Sequence, residues 1–464
     1  MRSPEDTIAA ISTPLGEGGI GIVRLSGKHS VRTAEKLFSS PKNCTLGSVK
    51  PYSMVYGHIR DPFTGEKVDE VLVTVMKSPH SYTKEDVVEI NCHGGMITVR
   101  KTLDLVLKQG VRLAEPGEFT KRAFINGRID LSQAEAVLDL IRAKTDESRR
   151  IAVEQLQGGL SEKITGLRDR LTEICVQVEA CIDFPEDEIE TAAAQDLLRE
   201  ICIIRDELEK LLKTYDEARF FREGLSTAII GRPNVGKSSL LNALLRKDRA
   251  IVTDTPGTTR DIIEEYLNIN GLPLRIMDTA GIREVRETAE QEGVKRSLQS
   301  IENADLVIAV FDRSEPLTDE DIEVIEKIKP KRTIIVFNKC DLPSLADMNF
   351  LISRLIATAP RALDVSATRG DGLEELKDAI FTTCLSDWKE EREGVVVTNL
   401  RHKTAIEQAV ASLGRAAQTL TENQPLEIHA LELRTALDNL GTVVGAITTE
   451  DILDRIFSEF CIGK

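Results

Sequence analysis

Several things are missing from this sequence of 464 residues, and each absence narrows what it can be. No apolar run approaches the roughly 20 residues that a membrane span needs. The longest, Leu306 to Phe311 and Thr333 to Phe337, are strand-sized. No hydrophobic leader follows Met1, because Arg2, Glu5 and Asp6 interrupt it, so a secretory signal is not expected. The eight cysteines (44, 92, 175, 181, 202, 340, 384 and 461) contain no CxxC pair. Neither a disulfide framework nor a zinc site is indicated, and a reducing, cytoplasmic setting fits. An excess of positive charge is also missing: Lys and Arg total 60 against 76 Asp and Glu, a formal charge of −16. The chain as a whole would repel a phosphate backbone, so contact with nucleic acid must come from a local basic patch or a partner. Internal repeats and low-complexity tracts are lacking too.

What is present is an ordinary globular composition, 41% hydrophobic and 29% charged, at a length that suits about three domains. Three textures follow one another. Up to about residue 125, short β-rich runs (Thr7–Ser12, Gly19–Leu25, Tyr52–Arg60, Asp69–Met76, Asp86–Cys92) mix with helical ones (Ser30–Ser39, Met96–Lys108), an α+β pattern. From about 130 to 222 a helical period takes over, as in Ala134, Val137, Leu138, Ile141 and later Leu197, Ile201, Ile204, Leu208, Leu211. From Gly224 strands and helices alternate, with apolar strands at Leu225–Ile230, Leu274–Met277, Leu306–Phe311, Thr333–Phe337 and Ala362–Val365, which implies a parallel sheet. After about 386 the helical period returns in Thr404–Leu420, Ile428–Leu440 and Ile452–Phe460. Helices on both sides of an α/β unit suggest one helical domain interrupted by another.

The α/β unit carries the chemistry. Gly231-Arg-Pro-Asn-Val-Gly236-Lys237-Ser238 fits GxxxxGK[ST] between a strand and a helix (Ser239–Leu245). Its glycines let backbone N–H groups face a β-phosphate, Lys237 would bridge β- and γ-phosphates, and Ser238 would ligate Mg²⁺. Asp278-Thr279-Ala280-Gly281 follows a strand, placing Asp278 in the metal shell and the Gly281 N–H towards the γ-phosphate. Asn338-Lys339-Cys340-Asp341 follows another strand. A carboxylate there accepts the N1–H and 2-amino group of guanine together, whereas adenine offers neither. Ser366 and Ala367, with Thr368 behind them, would support guanine O6. Four elements in order, each at a strand end, make a GTP-binding domain. Thr259, within Gly257-Thr258-Thr259-Arg260-Asp261, stands where a switch threonine completes Mg²⁺ coordination. Ile282 follows Gly281, where Ras-like proteins place a water-orienting glutamine. Another group must do that work, and Glu284, Glu287, Glu290 and Glu292 are the candidates.

Beyond these motifs the whole chain resembles the MnmE (TrmE) family of tRNA-modification GTPases. The resemblance lies in Asp6-Thr-Ile-Ala-Ala-Ile-Ser-Thr-Pro14, Gly18-Gly-Ile-Gly-Ile-Val-Arg-Leu-Ser-Gly27, Tyr82-Thr-Lys-Glu-Asp86 and Cys92-His-Gly-Gly95. It continues in Pro116-Gly-Glu-Phe-Thr-Lys-Arg-Ala-Phe124 and the closing Phe460-Cys-Ile-Gly-Lys464. It implies a multidomain fold: an N-terminal α+β folate-type domain that dimerises (1–125), a discontinuous all-α helical domain (126–222 and 387–464), and an inserted α/β P-loop GTPase (Ras-like) domain (223–386). It implies a folate such as 5-formyl-tetrahydrofolate at Arg24, Glu85, Arg128 (where the family often has Lys) and Lys464. It implies K⁺ held by Asn234, Thr253, Thr255 and Thr258, and a catalytic glutamate at Glu290 acting with Lys237. The GTP contacts would then comprise Asn234, Val235, Gly236, Lys237, Ser238 and Ser239 of the first loop. Thr253, Asp254, Thr255, Pro256, Gly257, Thr258 and Thr259 would form the second, followed by Asp278 to Gly281, Asn338, Lys339, Asp341, Ser366, Ala367 and Thr368. Partners would be an FAD-binding MnmG-like protein, in a heterotetramer, and tRNA, whose wobble uridine receives an aminomethyl-type group at C5; no membrane is involved.

Bland readings compete locally. Cys461 is not a prenylation site, given Gly463 and Lys464. It is either a packed small side chain or an exposed thiol near the folate residues. Lys327 to Arg332 reads as a solvated helix end rather than a nucleic-acid patch, and His93 as a turn residue rather than a metal ligand. Two other functions suit parts of the chain: a ribosome-assembly GTPase, which would normally append a basic RNA-binding module, and a folate-dependent one-carbon transferase regulated by a GTPase.

Overall fold

The computed structural model describes residues 6–183, 191–248, 265–277, 301–328, 331–354, 361–385, 388, 394–422 and 424–464. They form two compact units, one made of residues 6–138 with 441–464, the other of the described residues between 139 and 440.

The first unit is built on a sheet of β1 (Ile8–Ile11), β2 (Gly18–Ser26), β3 (Phe38–Ser39), β4 (Met54–Arg60), β5 (Lys67–Met76), β6 (Val87–Gly94) and β7 (Arg112–Leu113), in the order β3-β4-β5-β6-β2-β1-β7. Every pairing is antiparallel except β1 with β7. The helices α1 (Ser30–Leu37) and α2 (Met96–Leu107) cover one face, where Ala34, Leu37, Leu105 and Val106 meet Val23, Leu25, Val73 and Ile90. Strand β1 is buried on both sides. Its Ala9 faces that core, while Ile8 and Ala10 join Phe119 of α3 (Glu118–Ile125) in a second cluster. An alternating strand with no polar residue is what a two-sided burial requires. The start of α4 (Leu131–Arg142) packs Leu131, Ala134 and Leu138 against Phe457 and Phe460.

The chain's last residues are tied into this sheet. Ser12 Oγ donates to the Gly463 carbonyl (3.1 Å), Ile462 bridges Pro116, and the Phe119 N–H donates to the Lys464 carbonyl (3.2 Å). Gly463 has φ +99, and a Cβ there would lie 2.2 Å from the Ile11 carbonyl oxygen, so only glycine lets the tail approach β1 this closely.

The second unit begins with α5 (Asp146–Leu156), α6 (Gly159–Asp183), α7 (Thr191–Lys213) and α8 (Tyr215–Glu223). The alternating domain follows: β8 (Leu225–Ile230), α9 (Lys237–Asp248), β9 (Glu265–Ile269), β10 (Leu272–Ile276), β11 (Leu306–Asp312), α10 (Asp319–Ile328), β12 (Thr333–Asn338), α11 (Met348–Ser353), β13 (Arg361–Asp364) and α12 (Leu373–Cys384). Then come α13 (Leu400–Thr421) and α14 (Leu426–Val444), and α13 packs along α7. The helical period read on the two sides of the α/β stretch thus meets where α13 packs on α7, while residues 131–138 and 441–464 belong to the first unit. The chain leaving the insertion is fastened to the helices that precede it: Gln155 Nε2 donates to the Val396 carbonyl (3.2 Å) and Thr398 Oγ1 (3.1 Å), and the Val397 N–H donates to Thr214 Oγ1 (2.9 Å).

The inserted sheet has the order β13-β12-β11-β8-β10-β9. It is parallel except for β9, which pairs antiparallel with β10. The five strands read from the sequence are parallel as expected, and β9, which was not read, adds an antiparallel edge, where β9 and β10 form a hairpin over Asn270-Gly271, both at positive φ. Strand β8 lies between β10 and β11, so chain order reverses there, and the crevice beyond the carboxyl ends of β8 and β11 is the expected ligand position. Among the described residues no helix is long and apolar enough to cross a membrane.

Candidate functional site

The loop leaving β8 requires glycine at two of its positions. Gly231 sits at φ +151, with a Cβ position 2.2 Å from the Val310 carbonyl oxygen. Asn234 takes φ +64, and Gly236 takes φ +96. A Cβ on Gly236 would lie 2.1 Å from Asn338 Nδ2. The left-handed turns aim successive N–H groups inward, and α9 starts at Lys237, two residues earlier than the periodicity suggests. Lys237 Nζ donates to the carbonyls of Gly231 and Arg232, both at 2.8 Å. Burial lowers its pKa, yet those two acceptors keep the ammonium aimed along the loop. Ser238 and Ser239 occupy the first turn of the helix.

The second loop leaves β12. Asn338 Nδ2 donates to the Val235 carbonyl (2.8 Å), and the Ala367 N–H donates to Asn338 Oδ1 (3.1 Å), so one buried amide joins the phosphate loop, the base loop and the segment after β13. Asp341 accepts from Ser366 Oγ at 2.7 Å, and that hydroxyl, first among several influences, holds its carboxyl below the ordinary range. The group is therefore ionised at neutral pH and acts purely as an acceptor, as guanine's two donors require. Ser366 Oγ also meets Thr368 Oγ1 (3.2 Å). Asp341→Asn should therefore lose GTP affinity by roughly a hundredfold and prefer xanthosine triphosphate, whose O2 accepts where guanine donates. Fluorescence titration with both nucleotides checks this, and unaltered GTP binding by the variant would remove Asp341 from base reading.

The structure thus brings together Asn234 to Ser239, Asn338, Lys339, Asp341 and Ser366 to Thr368 along one sheet edge. The expected contacts at Thr253, Asp254, Thr255, Pro256, Gly257, Thr258, Thr259, Asp278, Thr279, Ala280, Gly281 and Glu290 lie outside the described residues. Sequence reasoning missed Asp312, which pairs with Lys339 Nζ at 2.5 Å, and Arg232, which pairs with Glu315 (2.5 Å) and Asp321 (3.3 Å). A signal for Asp312 did exist: it is the polar residue closing the apolar run Leu306–Phe311.

In the first unit, Arg24 on β2 pairs with Glu89 (2.8 Å), donates to the Gly463 carbonyl (3.2 Å) and lies 5.7 Å from the Phe119 ring centre. Glu85 accepts from Ser26 Oγ (2.6 Å) and from Arg122 (3.1 Å). Arg128 stacks on Tyr82 at 4.7 Å, and the Tyr82 hydroxyl meets Thr120 Oγ1 at 2.9 Å. Tyr82 packs against the cluster that contains Phe119, and the Lys464 backbone is bonded to Phe119. Arg24 and Glu85 already have partners inside the protein, so any ligand must share their remaining hydrogen-bonding capacity. Cys461 is exposed, the second of the two readings given for it. His93 lies on β6, not in a turn, with Nδ1 2.7 Å from Asp69 Oδ1. Lys331, in the basic cluster, caps the Glu302 and Ala304 carbonyls (2.5 and 3.2 Å), a helix-end role.

A glycine-rich loop between strand and helix at a topological switch point, with an Asn-Lys-x-Asp loop at the end of β12 two strands away in the same sheet, defines a P-loop GTPase domain. Comparison with known proteins extends this over the whole chain. Residues 131–461 match the MnmE helical domain, and residues 7–128 match the GTP-binding protein TrmE N-terminus. The chain is 48% identical to the tRNA modification GTPase MnmE of Alkaliphilus oremlandii and 48% identical to that of Geobacillus kaustophilus, with 99% of each chain covered. A solved structure of Aquifex aeolicus Era bound to GDP and AlF4⁻ shares 27% identity over 40% of this chain and 65% of that one, with a TM-score of 0.26. The chain belongs to the MnmE family of tRNA modification GTPases.

Proposed function

We propose that this GTPase hydrolyses GTP with Mg²⁺ and K⁺ and, together with an FAD-binding MnmG-like partner, installs a carboxymethylaminomethyl or aminomethyl group at C5 of the wobble uridine of tRNA. The observation that carries the reading is Asp341, fixed by Ser366 on the same sheet edge as the Lys237 loop, in a chain that is related from end to end to tRNA modification GTPases. Lys237 neutralises charge between the β- and γ-phosphates, and Ser238 and Thr259 hold Mg²⁺. The described donor set suits these ions: a hydroxyl in the first turn of α9 for Mg²⁺, and an exposed amide, Asn234, on the same loop for K⁺, with Thr253, Thr255 and Thr258 as its other ligands. Glu290 orients the attacking water. The domains run 1–125, 126–222 with 387–464, and 223–386. The first binds a folate such as 5-formyl-tetrahydrofolate near Arg24, Glu85, Arg128 and Lys464, and it dimerises, so that two chains and two partners form a heterotetramer in the cytoplasm. The clustering of Arg24, Phe119, Tyr82 and the C-terminal residues supports that location, because it offers cations beside aromatic rings.

Deleting the chain from its own cells should abolish C5-modified wobble uridines in hydrolysed tRNA, and the purified protein should bring down a flavin-containing partner and show heat with 5-formyl-tetrahydrofolate. Unchanged wobble nucleosides in the deletion strain would overturn the assignment. Normal nucleosides together with folate heat would favour a one-carbon transferase instead.

A further inference from the structure

We propose that Asp312 is a positioning residue for guanine selection, acting through Lys339; the inference rests on the GTP-binding reading above. Asp312 closes β11, and its side chain is 1% exposed. A carboxylate so deeply buried needs full pairing. It obtains this from Lys339 Nζ at 2.5 Å and from the Ser314 N–H and hydroxyl at 2.8 and 2.6 Å, both to Oδ1. Lys339 stands between Asn338 and Asp341 and takes φ +61, a left-handed conformation that a residue with a side chain keeps only where its surroundings enforce it. The ion pair is that enforcement. The next residue reinforces it, because the Arg313 N–H donates to the Asn338 carbonyl at 3.0 Å. The base loop is thus hung from the end of β11 by one side chain and one backbone bond.

The same connection holds the phosphate loop by different groups, with Glu315 and Asp321 gripping Arg232. The two loops therefore have separate anchors, and disturbing one should leave a distinct signature. With Asp312 gone, Lys339 can relax and carry Asp341 away from the 2-amino group it reads. Loss should be greater for GTP, which offers Asp341 both N1–H and the 2-amino group, than for inosine triphosphate, which offers N1–H alone.

The test is titration of the full-length protein and its Asp312→Asn variant with GTP and with ITP. Asparagine keeps the shape and an acceptor for Ser314, so the fold should stand. GTP affinity should drop about tenfold, as expected when charge-assisted hydrogen bonds are weakened, while ITP, with one such contact in place of two, should lose only about threefold. Glu315→Gln, on the phosphate side, should weaken both nucleotides equally. An unchanged GTP-to-ITP ratio in Asp312→Asn, with or without an equal loss of both, would reduce Asp312 to a structural residue. Failure of the parent protein to bind GTP at all would instead remove the reading on which the inference rests.

Discussion

Gly236→Ala is expected to lose nucleotide binding by on the order of a hundredfold or more while keeping its fold, because two costs coincide at that one atom. Alanine at φ +96 is strained in itself, and its methyl carbon would stand 2.1 Å from Asn338 Nδ2. Asn338 cannot step aside cheaply. Its amide nitrogen donates to the Val235 carbonyl and its oxygen accepts from Ala367, so moving it breaks the bonds that tie the phosphate loop to the base loop. Strain of about 1–3 kcal/mol and two hydrogen bonds of about 1 kcal/mol each add to more than a hundredfold in affinity. The site lies at the rim of the sheet, and the core residues Val310, Ile335 and Val336 do not touch the added methyl within 4 Å. Titration with a fluorescent GDP analogue, beside a thermal melt followed by circular dichroism, separates the two effects. Near-normal affinity in the variant would show that the loop is free to open away from Asn338.

Exchanging K⁺ for Na⁺ should cut GTP turnover at least about tenfold, a conservative part of the 10³–10⁵ that an arginine finger supplies elsewhere. Ile282 stands where a Ras-type glutamine would be, and Asn234 is exposed on the phosphate loop at φ +64. On the proposed reading, Asn234 with Thr253, Thr255 and Thr258 would hold the cation, which would supply positive charge for the charge developing on the phosphates. Asn234→Ala should abolish the K⁺ response yet still bind GTP, since Lys237 remains fixed by Gly231 and Arg232. Glu290→Ala should lose turnover and retain both nucleotide binding and K⁺-driven pairing of the GTPase domains. Equal rates in the two salts would return the catalytic charge to Arg260 or Arg283.

The parts of this architecture that were legible share a cause: they are written locally. The apolar runs ending at Ile230, Phe311 and Phe337 are strands because they are buried on both faces, and the residues following them become the site because parallel strands end on one side. The antiparallel β9 was not legible, since its buried and exposed residues alternate over only five positions. Neither were the two-residue strands β3 and β7, which exist only through pairing with β4 and β1. The role of Asp312 was not read, because its partner Lys339 lies on another strand end. The seating of the last residues against β1 has no local sign either; only the resemblance of the closing motif pointed to it, and the contact joins residues 451 positions apart.

That contact sets a timetable for folding on the ribosome. Helix α7 finds its companion α13 only after roughly 190 further residues have been made, about 10–40 s at about 5–20 residues per second. The inserted domain has its sheet complete by then and can fold in the interval, while the first helices wait with apolar sides uncovered. Strand β1 waits longer still, since its glycine-sized gap is closed by Gly463, made about 450 residues after it. A nascent chain stalled just short of that residue should therefore hold a nucleotide-competent domain beside an amino-terminal sheet still open to protease at Ile11 and Ser12.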